Sequence, residues 1–339
     1  MKIRHIIIVL LLIIFTMSCT PINEPEDGYP FAIYFLSNDK LKVTDVMDKN
    51  LNSLRLKAEP WFTSDDIDYY DWSSHCIYLK EDKGNFIPGW DTIQPYKIFP
   101  MEWADKPFII CSNDKREYMG YFFSVIYSLN LVTVPAMFDL GYNTEGPSNV
   151  LMFDWSWLYI ENPCDNPNVK SALINDNKFR EGISITLDST NENTIIVLDN
   201  SDTATISYTI SITNNDEEDL YILDPNLMDG EVFHYFNSGV VFYNIDNEEV
   251  YKSILKNVFT PPYTGYWSPD WFMKISSMES VQRTITLKGY QKFSTGRYLV
   301  ETRFNSPVHM SKNDFESTDG RLWYGNTLSN YFIWEYKNN

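Results

Sequence analysis

Two hydrophobic textures run along this chain. From Phe31 to about Arg180, apolar runs of strand length interleave with polar segments and one short helical period. "PFAIYFL" reads as a strand, "TSDDIDYYDW" opens with a helix-start signal at Thr63 or Ser64, and "HCIYLKED" alternates like a half-buried strand. "KPFIICSNDKREYMGYFFSVIYS" predicts a hairpin whose polar turn, Ser112 to Arg116, joins two apolar strands. "NPNVKSALINDNKF", near Asn166, predicts a short amphipathic helix, and "FDWSWLYI", from Phe153 to Ile160, has the period of a strand. Together these patterns predict an α+β domain with a small sheet over residues 30–181.

At Glu181-Gly182 the texture changes. "GISITLD", "NTIIVLD", "ATISYTISITNND", "DLYILDP", "GVVFYNI", "VQRTITLKGY" and "GRYLVETRF" are short β-branched and aromatic runs separated by Asn, Asp, Gly and Pro. No helical period of comparable strength lies among them. The pattern predicts an all-β sandwich over residues 182–339.

Ahead of both stands a third pattern. Lys2 and Arg4 precede an almost unbroken apolar run, Ile6 to Phe15, which is too short to cross a bilayer as a helix and reads as an export signal over residues 1–18. Thr16-Met17-Ser18-Cys19 then resembles the lipobox of bacterial lipoproteins, with Ser18 as the small residue at the cut; Thr16 and Met17 depart from the usual Leu and Ala or Ser. The resemblance implies that Cys19 becomes the mature N-terminus and carries diacylglycerol and a further acyl chain such as palmitate. At about 0.8 kcal/mol per buried methylene, two or three chains make a stable membrane anchor. Residues 19–29 hold two prolines and three acids with nothing to bury, and read as a flexible acidic stalk. An acidic tract after the cysteine resembles the surface-display signal of Bacteroidota lipoproteins, which implies an outer-membrane, cell-surface location; inner-face placement stays open.

Two further resemblances bear on the fold. "EPWFTSDDIDYYDWSSHCIYLK", "KPFIICSND" and "VPAMFDLGYN" resemble, over roughly a hundred residues, the first periplasmic domain of the SecD export protein. That likeness implies a small α+β module and transfers no functional residue. "YTISITNNDEEDLYILDP" followed by "SMESVQRTITLKGYQKFSTGRYLVETRF" resembles immunoglobulin-like modules of the BsuPI type. The shared elements are a strand ending in "TNN", an acidic turn, a strand ending in "DP", a "GES"-like turn in which Met278 replaces Gly, and Gly296-Arg297-Tyr298. This likeness implies a fold and no inhibitory activity.

Composition narrows the function classes. With 339 residues, 44% of them hydrophobic, the chain can bury two ordinary cores. Its net charge of −19 and lack of a basic patch argue against a nucleic-acid partner. Apart from Cys19, the cysteines are Cys76, Cys111 and Cys164, none with metal-ligand spacing; Cys76 and Cys111 in strand-like runs read as small buried hydrophobes. His5, His75, His234 and His309 form no zinc signature, and phosphate loops, dinucleotide loops and nucleophile elbows are missing, so no cofactor or metal is expected.

Three weak signals for chemistry remain. His75, four residues after Asp71 and next to Cys76, reads either as a base with an orienting carboxylate or as a turn-stabilising histidine. Adjacent strand residues face opposite sides, which favours the second reading. The acids Asp65-Asp66 fit a helix start, and Asp216-Glu217-Glu218-Asp219 fit a solvated turn. The loop "TPPYTGYWSPDWF" gathers Tyr263, Tyr266, Trp267 and Trp271, which could present flat faces to a glycan or a partner, or cover the open end of the sandwich. The expectation is a membrane-anchored, non-enzymatic interaction module with an envelope protein or glycan as partner. A glycan-binding protein and a carboxylate-dependent hydrolase are the alternatives.

Overall fold

The computed structural model describes residues 28–87, 101–123, 134–138, 149–154, 162–187, 195–199, 203–228, 240–251, 268–305 and 319–337. The described chain is mainly β, arranged in several sheets. The strands of the first part are β1 (Phe31–Phe35), β2 (Phe62–Thr63), β3 (Ile67–Asp71), β4 (Cys76–Leu79), β5 (Pro107–Ser112), β6 (Lys115–Phe122), β7 (Ala136–Phe138), β8 (Val150–Asp154) and β9 (Phe179–Arg180). They form one nine-stranded mixed sheet in the order β2-β1-β5-β6-β7-β8-β4-β3-β9. The expected small sheet is therefore a large one. Short strands such as β2, β7 and β9 extend it through pairings between segments distant in sequence.

The local predictions inside this sheet have clear physical outcomes. The predicted hairpin is β5–β6, turning at Asn113 and Asp114, which both take the left-handed conformation that Asn and Asp tolerate. The predicted helix is α1 (Pro167–Asn175), with Pro at its start and Asn166 as N-cap, accepting from the amides of Asn168 (2.9 Å) and Val169 (3.2 Å). Its Val169 and Leu173 enter the core. The helix-start signal at Thr63 does produce a cap, with Thr63 and Asp66 in a capping box. It caps only a single 3₁₀ turn, Ser64–Asp66, because the β-branched and aromatic residues that follow pass directly into β3.

"HCIYLKED" departs from its half-buried reading: all four residues of β4 are buried. Ile77 and Leu79 pack toward α1 with Phe108, Ile110 and Leu151, whereas Cys76 and Tyr78 join Val150 and Met152 on the opposite face. A strand buried on both faces loses the alternation that marks a solvated face. What covers that second face is the C-terminal part of the chain, because these four side chains belong to its hydrophobic core.

That part is built from β10 (Ile183–Leu187), β11 (Ile195–Asp199), β12 (Ala204–Asn214), β13 (Leu220–Leu223), a helical turn (Pro225–Met228), β14 (Val240–Asn244), β15 (Val250–Tyr251), β16 (Phe272–Ile275), β17 (Ser280–Tyr290), β18 (Gly296–Asn305), β19 (Arg321–Leu322), β20 (Asn326–Leu328) and β21 (Phe332–Tyr336). All seven strand predictions beyond Gly182 correspond to strands. β12 pairs with β17 along one edge and with β10 and β11 along the other; β18 pairs with β14 on one side and with β20 and β21 on the other. β13 lies between β16 and β19.

Strict alternation along β12 buries Ala204, Ile206, Tyr208, Ile210 and Ile212 and turns Thr205, Ser207, Thr209, Ser211 and Thr213 outward. The inward set meets Val240, Phe242, Tyr298, Val300 and Phe304 of β14 and β18 in one core. The outward set meets hydroxyls of β17, as in Thr209 with Thr284 at 2.9 Å and Ser207 with Thr286 at 3.1 Å.

Candidate functional site

The turn joining β3 to β4, Asp71-Trp72-Ser73-Ser74-His75, holds the residues that sequence reasoning paired, and the fold separates them. Asp71 Oδ1 accepts from Ser73 Oγ (2.7 Å), Ser74 N (3.2 Å) and Ser74 Oγ (3.2 Å), which closes the turn locally. His75 ends it in the left-handed region, φ 51°, so the two side chains leave on opposite sides.

On one side, His75 Nδ1 lies 3.2 Å from Tyr70 Oη, and Nε2 lies 3.0 Å from Asn162 Nδ2 and 3.4 Å from Asp165 Oδ1. The ring also meets Trp72 edge-on at 5.5 Å. The carboxylate beside His75 is thus Asp165, a residue that sequence spacing did not single out. With partners on both ring nitrogens, His75 ties the turn to the segment that leads into α1. The neighbouring thiol, Cys164, is fully buried, and burial pushes it well above the usual thiol range, so it is a poor nucleophile. Cys76 faces away from His75, as strand alternation requires, with Sγ 3.7 Å from the carbonyl of Tyr324. Cys76, Cys111 and Cys164 are all buried.

On the other side, Asp71 is completely buried and points at Arg321 of β19, with Oδ2 2.7 Å from Nη2. The same Nη2 donates to Asp216 Oδ2, and Nε lies 2.9 Å from Glu218 Oε1. Burial opposes the charge on Arg321, but the carboxylates of Asp71 and Asp216 more than offset it and hold the guanidinium well above its usual range. Below, Tyr69 and Tyr78 stack at 4.2 Å, and the guanidinium carbon sits 5.1 Å from the Tyr69 ring centre. Ser73 completes the junction: its hydroxyl accepts from Trp323 Nε1 (2.9 Å) and from Ile183 N (3.0 Å).

The acidic run 216–219, expected as a solvated turn, is largely partnered. Asp216 accepts from Gly182 N at 2.9 Å as well as from Arg321, and Asp219 accepts from Ser277 N (2.9 Å) and pairs with Lys274 (2.7 Å). Asn214, the first Asn of the quoted "TNN", is buried and fixes this turn from inside. Its side-chain NH₂ donates to the carbonyls of Glu218, Ile275 and Ser276, while its oxygen accepts from Asp216 N. Among the described residues no group of three or more His, Cys, Asp or Glu is arranged to hold a metal ion.

Of the aromatic loop, Trp271 is described. It closes a 3₁₀ turn, Pro269–Trp271, capped by Ser268, and packs partly buried against the C-terminal core. Tyr263, Tyr266 and Trp267 lie outside the described residues, as do Cys19, His5, His234 and His309 and most of "FDWSWLYI". No protein-family model matches this chain, and no curated protein matches it.

Proposed function

We propose that the chain is an outer-membrane lipoprotein, anchored through Cys19 and displayed at the cell surface, whose β-rich body serves as a non-enzymatic interaction module. The observation that carries this reading is the N-terminal pattern: Lys2 and Arg4, the apolar run Ile6 to Phe15, Ser18-Cys19, and the acidic, proline-bearing stretch to residue 29.

For the C-terminal part we propose an immunoglobulin-like sandwich of the BsuPI type. Two features support it. One is the pairing of β10, β12 and β17 in one layer, with β15, β14, β18 and β21 in the other, which follows the A-B-E and C′-C-F-G arrangement of that fold. The second is Tyr298, buried near the start of β18, whose hydroxyl donates to the carbonyl of Ser294 at 2.7 Å. A tyrosine bonded back to the preceding corner in this way is a recurrent device of such sandwiches.

The test is in-cell cross-linking and capture of the tagged chain beside its Cys19→Ala variant, with partners identified by mass spectrometry. The anchored form alone should retain an envelope protein. Equal recovery of nothing from both, with both forms free of the membrane, would overturn the reading. A polysaccharide retained instead of a protein would favour the glycan alternative built on Tyr263, Tyr266, Trp267 and Trp271.

A further inference from the structure

The segment Gly320–Gly325 belongs by chain order to the C-terminal part, yet it contacts both sides of the junction. Its backbone joins β13 through only a short parallel ladder, with Arg321 N donating to Asp219 O and Trp323 N to Tyr221 O, each at 3.0 Å. Two residues of ladder are a weak hold. The side chains supply the rest. Arg321 bridges Asp71 of the large sheet and Asp216 of the β12–β13 turn. Trp323 is fully buried and donates to Ser73. Gly325, at φ 110°, passes so near that a Cβ would come within 3.1 Å of Cys76 Sγ. The surface it occupies is shared: Ser73, Ser74 and Cys76 come from one side, Asp219 and Tyr221 from the other.

Without this segment, Asp71 and Asp216 would remain buried with no cation between them, and like charges held in a dry junction are strongly unfavourable. The core cluster that includes Cys76, Tyr78, Val150 and Met152 would also lose Trp323, one of its fully buried members. We propose that Gly320–Gly325 is an internal latch. It fills a cleft that neither part of the chain forms by itself, and the β3–β4 region and the β12–β13 turn reach their native packing only when it docks. The two parts are then one cooperative unit, closed by residues 250 positions beyond the turn they clamp. Closure depends on contacts between residues far apart in sequence, a high-contact-order step.

Hydrogen exchange read by mass spectrometry on the full chain tests this, using wild type, Arg321→Met, and Arg321→Met combined with Asp71→Asn and Asp216→Asn. Arg321→Met should raise amide exchange about a hundredfold or more in residues 67–79 and 213–223 together, because breaking a buried pair strands two carboxylates. The triple variant, which buries no unpaired charge, should return both regions to within about tenfold of wild type. Increased exchange confined to 213–223, with 67–79 unchanged, would overturn the latch. If Arg321→Met does not fold, a folded and protected triple variant supports the proposal, and a triple variant that also fails to fold overturns it.

Discussion

Gly182→Ala probes the junction at its tightest point. Gly182 links β9 to β10 at φ 75°, a conformation that costs an L-residue about 1–2 kcal/mol. An added Cβ would fall on Ser73 Oγ and Asp71 Oδ1 and within 2.9 Å of Ser73 Cβ. Those atoms cannot move freely. Ser73 Oγ donates to Asp71 and accepts from Trp323 and Ile183, and Asp71 is held by Arg321. Overpacking a fixed site adds about 1–3 kcal/mol, and a weakened buried hydrogen bond about 1 kcal/mol more. The sum is about 3–6 kcal/mol, to be read from urea midpoints at constant m-value. Gly296→Ala is the control. Gly296 is not at positive φ and its Cβ would come no closer than 3.3 Å to Asn244 and 3.4 Å to Asp246, so the change should stay within about 1 kcal/mol. Equal midpoints for the two variants would refute the account of the junction.

Three other expectations follow from single residues. Met278 holds the left-handed conformation, φ 60°, with its side chain largely exposed, so Met278→Gly should stabilise the protein by up to about 1 kcal/mol in the same urea assay; a loss would contradict the strain reading. Burial raises the Glu301 carboxyl above its usual value of 4.5, and Arg303 offsets this only in part. A raised acid binds its proton more tightly folded than unfolded, so stability falls as pH rises from the unfolded value through the folded one. Glu301→Gln should therefore gain stability at neutral pH and gain none near pH 4, as thermal melts across pH would show. Burial pushes the Cys111 thiol up to about 12 and Cys164 higher still, so iodoacetamide at pH 8 should label neither until denaturant is added; rapid labelling of the native protein would contradict their burial.

The features legible in the sequence were those encoded within a few residues. The hairpin of β5 and β6, the capped helix α1 and the alternating strands beyond Gly182 all carry their period, turn or cap locally. What was not legible depends on distant partners. The extent of the large sheet rests on pairings such as β4 with β8, and the double burial of β4 depends on a core assembled from both parts of the chain. Asp71 looked like a partner for His75 because it stands four residues away, whereas its actual partner, Arg321, stands 250 residues away. Nothing in the spacing of acids 216–219 indicates that one guanidinium gathers Asp216 and Glu218. Asp165 escaped notice beside His75 for the same reason, being close in space and remote in sequence.

The membrane tether proposed for this β-rich body is Cys19. Intact-mass and peptide analysis of the chain recovered from cells in detergent tests it most directly. A tethered protein should begin at Cys19 and carry the added mass of diacylglycerol and a further acyl chain, both lost in Cys19→Ala. A chain recovered with an unmodified Cys19, or cut at another position, would contradict it.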